Sequence, residues 1–206
     1  MNIQRFKIVL LGNSSVGKTS LLLRYVKKKY GNIFSSTIGC SFMAKIVEKN
    51  NIKYGLDLWD TAGQERYRSL LPMYFRNANI AIICISIIDN LDENYKNINF
   101  WLQELDKYND LDNRHIIIVG TKSDLLSNND SINFVNNIKI NNKYKNIPLY
   151  VTSSKDDINV NKLFDDCITY LINNQKINVN QDKIEDIKLN NSYSYCKGWY
   201  DFYNLC

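Results

Sequence analysis

The 206-residue chain has one histidine, His115, and its five cysteines, Cys40, Cys84, Cys167, Cys196 and Cys206, are odd in number and widely scattered. No two cysteines form a C-x-x-C pair, so neither a zinc site nor a disulfide framework is expected, and a reducing, cytosolic setting follows. His115 sits at the mouth of an apolar run, where its role is structural, so a Ser-His or Cys-His hydrolase is a poor candidate. No apolar stretch reaches the roughly 18 residues of a membrane span, and no secretory signal is visible. There is no block of lysine and arginine and no interleaving of basic with aromatic residues. The net charge of +5 therefore reads as solvated surface, and no nucleic-acid partner is expected. The many asparagines read as compositional bias rather than chemistry.

A hydrophobic share of 45% and a charged share of 23% suit a soluble globular protein, and the length fits one domain with an extension. Phe6–Leu11, Ile80–Ile88 and Ile116–Val119 are near-continuous apolar runs, as strands buried on both faces require. Ser41–Glu48 and Lys53–Trp59 alternate and flank Asn50-Asn51, which reads as a hairpin. Tyr95, Ile98, Leu102 and Leu105 share one helical face. Val160, Leu163, Phe164, Cys167, Ile168, Leu171 and Ile172 share another, behind an Asn159 cap. Strand alternating with helix predicts an α/β fold. It is a doubly wound, six-stranded, mostly parallel sheet with helices on both faces and one antiparallel member.

The chain is organised around Gly12-Asn-Ser-Ser-Val-Gly-Lys-Thr-Ser20, between the first apolar run and a helical LLLRYV. It matches G-x-x-x-x-G-K-[ST] at Gly12, Gly17, Lys18 and Thr19. Glycine at both ends lets the backbone of Ser14, Ser15 and Val16 curl so that its N–H groups point inward at phosphate oxygens. The start of the helix, with Ser20, adds further unpaired donors. Lys18 reaches the outer phosphates and the Thr19 hydroxyl ligates Mg²⁺. An ordinary glycine turn before a helix would produce the pattern by accident in about one chain in a hundred.

Three later loops each follow a predicted strand, and in a doubly wound sheet they converge with the first on one edge. Asp60, at a strand end, suits a role behind Mg²⁺. Gly63 brings its N–H against a terminal phosphate without a side chain in the way. Gln64 is an amide able to donate to and accept from an attacking water. Asp124, in Thr121-Lys122-Ser123-Asp124, can accept from both N1–H and the 2-amino group of guanine, neither of which adenine offers. Lys122 lays its stem along the base, and Ser153, Ser154 and Lys155 supply backbone N–H to the guanine oxygen.

GNSSVGKTS, Ser36-Thr37-Ile38-Gly39, WDTAGQERYRSL, TKSD and TSSK occur in the order and spacing of a Ras-superfamily small GTPase, which the chain resembles over about residues 5–174. Trp59 through Leu70 looks like the Rab branch. Ser36-Thr37-Ile38-Gly39, Pro72-Met73-Tyr74 and Asn159-Val160-Asn161 look most like its early-endosomal subgroup. The resemblance implies that Thr37 is the switch residue whose hydroxyl joins Mg²⁺, and that Tyr30 lies against the guanine edge. It implies that Phe42, Trp59 and Tyr74 read effector proteins, where the residues alone suggest core packing as readily. Thr121 stands where the family usually has Asn, removing an amide contact, and Ser154 stands where it usually has Ala.

Residues 176–191 are polar and without helical period, as in a flexible linker. Tyr193, Tyr195, Trp199, Tyr200, Phe202 and Tyr203 then crowd the last stretch before Cys206. Rab proteins usually finish with two neighbouring cysteines; here Cys196 and Cys206 are ten apart, there is no C-a-a-X box, and Met1-Asn2 is not an N-myristoyl signal. Either Cys206 is prenylated singly and the aromatics supply the second membrane signal, or the unlipidated tail binds a protein or the domain.

The expectation is a G domain over 1–174 and a hypervariable tail over 175–206. It is a switch that hydrolyses GTP on water oriented by Gln64, with Lys18 and Mg²⁺ steadying the charge. No arginine is evidently placed to act in cis, so slow turnover, an activating protein, an exchange factor and effectors are implied. The protein would be cytoplasmic and cycle to the cytosolic face of endosomal or other vesicle membranes. A nucleotide-locked binding module and an ATP-dependent P-loop kinase are the alternatives. Intact Gln64, Gly63 and Thr37 count against the first, Asp124 and Lys122 against the second.

Overall fold

A computed structural model of the chain describes residues 3–31, 37, 39–63, 71–107, 115–138 and 146–174. Gln64, Ser36, Ile38, the segment 65–70, the linker, the tail aromatics, Cys196 and Cys206 lie outside the described residues. In chain order the elements are β1 (Gln4–Leu11), α1 (Lys18–Lys27), β2 (Cys40–Lys49), β3 (Ile52–Thr61), α2 (Leu71–Phe75) and β4 (Ile80–Ser86). There follow α3 (Leu91–Asp106), β5 (His115–Thr121), α4 (Asn128–Asn137), β6 (Leu149–Val151) and a helix, α5, over 160–174. Contacts group the chain into one compact unit, Met1–Cys167, and a second, Ile168–Cys206, whose described part is the end of α5. The site described below lies entirely within the first.

The six strands form one sheet in the order β2-β3-β1-β4-β5-β6. Only β2 is antiparallel to its neighbour, as expected. Asn50 and Asn51 both take positive φ, 53° and 61°, so the hairpin turns in the type I′ sense that matches strand twist. All seven residues of β4 are buried, which is why its sequence reads as an unbroken apolar run. That run overreaches the strand. The backbone turns where Asp89 N–H donates to the Ser86 carbonyl, and Ile88 is left 45% exposed.

Alternation along β1 sends Val9 and Leu11 into a core with Ile83, Ile85, Ile98, Trp101, Leu102 and Leu105. Ile8 and Leu10 are equally buried and point the other way, and α1 contributes the buried Leu21, Leu22 and Tyr25, whose ring stacks on Phe164. Two sequence expectations need correction. Tyr95 is exposed, because α3 turns Asn94 inward instead, its amide donating to the Ser86 carbonyl at 2.9 Å. Asn159 holds the cap position of α5, its carbonyl accepting from Leu163 N–H. Its amide, however, donates to the Val151 carbonyl of β6, and its φ of 57° is left-handed. The apolar stripe expected on α5 is buried throughout.

Candidate functional site

β1 has β3 on one side and β4 on the other, so the strand order reverses direction there and the loop leaving β1 opens at the switch point of the sheet. Gly12 takes φ 141° with its α-carbon pressed on β4, where a Cβ would lie 2.3 Å from the Cys84 carbonyl oxygen. No other residue fits that approach. Gly17, left-handed at φ 99°, is the N-cap of α1 without a side-chain bond, so the first N–H groups of α1 face the loop.

Lys18 is 5% exposed, and its ammonium donates to the Gly12 and Asn13 carbonyls, each at 2.8 Å. Burial pulls its pKa below the usual lysine value, opposed by the neighbouring Asp60 carboxylate. Beneath the loop, burial pushes the Cys84 thiol up to about 12, so it stays neutral and takes no part as a nucleophile.

Three of the sequence-predicted residues meet at one point. Asp60 Oδ2 accepts from Thr19 Oγ1 at 2.6 Å and from Thr37 Oγ1 at 3.2 Å, and the two hydroxyls are 3.0 Å apart. Asp60 is fully buried, and its other oxygen, Oδ1, has no partner among the described residues. Burial raises the Asp60 pKa, against the lowering effect of the Thr19 bond, Lys18 and the Thr37 bond. A buried carboxylate with an orphaned oxygen beside two hydroxyls is an all-oxygen donor set of the kind a hard divalent cation takes, and it fits Mg²⁺. Gly63 packs against the phosphate loop, where a Cβ would lie 2.3 Å from Asn13 C and Ser14 N.

The two far loops join one another. Ser153 Oγ donates to Asp124 Oδ1 at 2.7 Å, and Thr152 N–H donates to the Gly120 carbonyl at 2.7 Å. Asp124 is part-buried within a single 3-10 turn over Ser123–Leu125, and Lys122, which caps that turn, takes a left-handed φ of 65°. Thr121 is 2% exposed. Its hydroxyl donates to the Val16 carbonyl of the phosphate loop, and the Ile85 carbonyl of β4 lies 3.0 Å away. The Thr121 hydroxyl thereby ties β5 to the phosphate loop.

Ser14 and Ser15 are exposed at the loop tip, Val16 is buried, and Ser20 and Lys155 lie on the flanks. Tyr30 is 47% exposed, with the Arg24 guanidinium 6.0 Å from its ring centroid. Phe42, Trp59 and Tyr74 form a row, with ring centroids 5.3 and 6.1 Å apart. Phe42 is 53% exposed, so the row is not core, though Trp59 and Tyr74 rest on the core edge.

Sequence reasoning passed over two contributors. Asn13 Nδ2 donates to Asn97 Oδ1 at 2.8 Å, tying the phosphate loop to α3, and Arg24 donates to the Ser154 and Lys155 carbonyls. Position 24 reads as one more cation near the end of a helix, and nothing local points to partners 130 residues away.

Residues 7–173 match the Ras family. Among curated relatives, the Ras-related protein Rab-1A of Dictyostelium discoideum is 38% identical over 159 residues, 77% of this chain and 76% of its own length. The GTP-binding protein YPTM2 of Zea mays is likewise 38% identical over 159 residues, with the same shares covered. The Ras-related protein RABD2a of Arabidopsis thaliana is 40% identical over 164 residues, again 77% and 76% of the two chains.

Proposed function

Because the chain belongs to the Ras family and is a GTPase of the Rab type, we propose that the site on its sheet edge runs a GTP/GDP switch with these residues in named roles. The backbone of Gly12 to Ser20 cradles the phosphates, with Lys18 as the fixed positive charge. Asp124 and Lys122 hold the guanine, Ser153, Ser154 and Lys155 line its oxygen, Tyr30 its edge, and Thr121 keeps the two loops in register. The meeting of Thr19, Thr37 and Asp60 is the observation that carries this reading, because it gathers two hydroxyls and a carboxylate from three separate parts of the chain at one point.

Thr19 and Thr37 would hold Mg²⁺ with Asp60 behind them, and the ion would neutralise charge building on the outer phosphates. In hydrolysis Gln64 orients the water in line with the γ-phosphate, and Lys18, already desolvated, meets the developing charge without reorganisation. Gly63 and Thr37 are the two points at which the chain senses that phosphate, so its loss releases both segments. An activating protein accelerates the step, an exchange factor reloads the site, and effectors read the row Phe42, Trp59 and Tyr74. The exposure of Phe42 supports that surface.

We further propose a G domain over 1–174 and a tail over 175–206 that brings the protein to the cytosolic face of a vesicle membrane, with Cys206 prenylated. The endosome is the compartment suggested by Ser36-Thr37-Ile38-Gly39, Pro72-Met73-Tyr74 and Asn159-Val160-Asn161. The relatives' names do not carry it, and imaging of tagged protein against endosomal and Golgi markers decides it. The base site is tested by Asp124→Asn. Guanosine affinity should fall by about tenfold or more while xanthosine nucleotides, whose 2-oxo group accepts where guanine donates, begin to bind. Unchanged GTP affinity with no xanthosine binding would refute the placement.

A further inference from the structure

We infer that Arg24 sets how long the nucleotide is held, by clamping the base-side loop 152–155 to the same helix that begins at the phosphate loop. The inference rests on the assignment of that loop to guanine.

The near half of the loop is held by the sheet and by Asp124. Thr152 N–H donates to the Gly120 carbonyl, Ser123 N–H to the Thr152 carbonyl, and Ser153 Oγ to Asp124. The far half is held from α1. Arg24 Nε donates to the Ser154 carbonyl at 2.5 Å and Nη2 to the Lys155 carbonyl at 2.8 Å, two adjacent acceptors matched by the planar guanidinium fork. Nη1 lies 3.4 Å from the Lys28 carbonyl at the end of α1, and the guanidinium faces the Tyr30 ring at 6.0 Å. One side chain thus touches the loop proposed for the guanine oxygen and the aromatic proposed for the guanine edge.

Arg24 also sits six residues after Lys18 on one continuous helix, a rise of about 9 Å. A rigid rod therefore carries the phosphate donors at one end and the grip on the base loop further along. The N–H groups offered to the guanine oxygen belong to the same short backbone stretch whose carbonyls Arg24 fixes. Freeing those carbonyls lets that stretch rotate and loosens the base while leaving Lys18, Thr19 and Asp60 where they are. Arg24 touches none of the reacting atoms and is a positioning residue.

The experiment uses the full chain loaded with fluorescent GDP and Mg²⁺. Arg24→Ala should release GDP about tenfold faster or more, the effect of losing one charge-assisted hydrogen bond. Single-turnover hydrolysis of preloaded GTP should stay within about twofold of wild type, since the phosphate end is untouched. Arg24→Lys, which keeps the charge but loses the fork, should fall between the two, and it decides the matter alone if the alanine variant does not fold. Lys27→Ala, exposed on the same helix, is the control and should leave release unchanged. Wild-type release from both Arg24 variants overturns the clamp, as does an equal loss of hydrolysis and retention, which would make Arg24 a general tie of the fold. Asp124→Asn, run alongside, separates the two levels. If it changes base preference while Arg24 variants release GDP normally, only the clamp fails. If it leaves base preference intact, the base site fails and the clamp with it.

Discussion

Gly63 follows a buried strand end and needs its lack of a side chain for space rather than for backbone freedom, since a Cβ would sit within 2.4 Å of three backbone atoms of Asn13 and Ser14. Those atoms belong to the phosphate loop, which is itself pinned by Lys18, Thr121 and Asn97 and cannot retreat. In Gly63→Ala the loop after β3 must therefore move away. The bonds among Thr19, Thr37 and Asp60 do not involve Gly63, so GTP should still bind. Single-turnover hydrolysis should slow by about tenfold or more as the water-orienting segment is displaced. Hydrolysis at the wild-type rate would show that this approach plays no part in catalysis.

At the scale of elements, β2 and β3 pair over ten residues from Cys40↔Thr61 to Lys49↔Ile52, with β2 the edge of the sheet. Phe42, Ala44 and Ile46 face outward along β2, opposite Trp59, Asp57 and Gly55. An Arg5–Asp57 ion pair crosses this face, too exposed to add much stability. Register is fixed by the turn, where Asn50 and Asn51 bear two successive positive φ angles. Asparagine tolerates that region and glycine occupies it freely. Asn51→Gly should leave the fold intact and raise stability by up to about 1 kcal/mol, whereas Asn51→Val should lower it by about 1–2 kcal/mol. Denaturant titration measures both, and a valine variant as stable as wild type would contradict the turn geometry.

At the scale of the whole molecule, none of the described helices is long and apolar enough to cross a membrane. The membrane residence proposed above is the tail's. In that proposal one prenyl chain anchors only marginally, and tyrosine and tryptophan favour the headgroup level, so the tail aromatics would supply the second attachment. Cys206→Ser should move the protein to the soluble fraction. Replacing Trp199, Tyr200, Phe202 and Tyr203 with Ser should weaken sedimentation with vesicles even while Cys206 carries its lipid. Mass analysis showing an unmodified Cys206, together with unchanged localisation of Cys206→Ser, would assign the tail to protein contacts instead.

The sequence by itself determined the strands, because continuous burial on both faces demands unbroken apolar runs, and it determined the loops, because phosphate and guanine chemistry needs particular residue types at fixed spacing. Thr19, Asp60 and Asp124 were singled out for that reason, and Thr37 by the resemblance to small GTPases. Tertiary structure alone decided whether Phe42 and Trp59 face the core or solvent, since an alternating strand gives the same pattern for either face. It decided that Thr121 bonds the phosphate loop, that Asn94 rather than Tyr95 turns inward, and that the Asn159 amide serves β6. It alone revealed Arg24. Its partners at Ser154 and Lys155 lie 130 and 131 residues away and are carbonyls, which every residue possesses, so no side-chain pattern in the chain could have marked them.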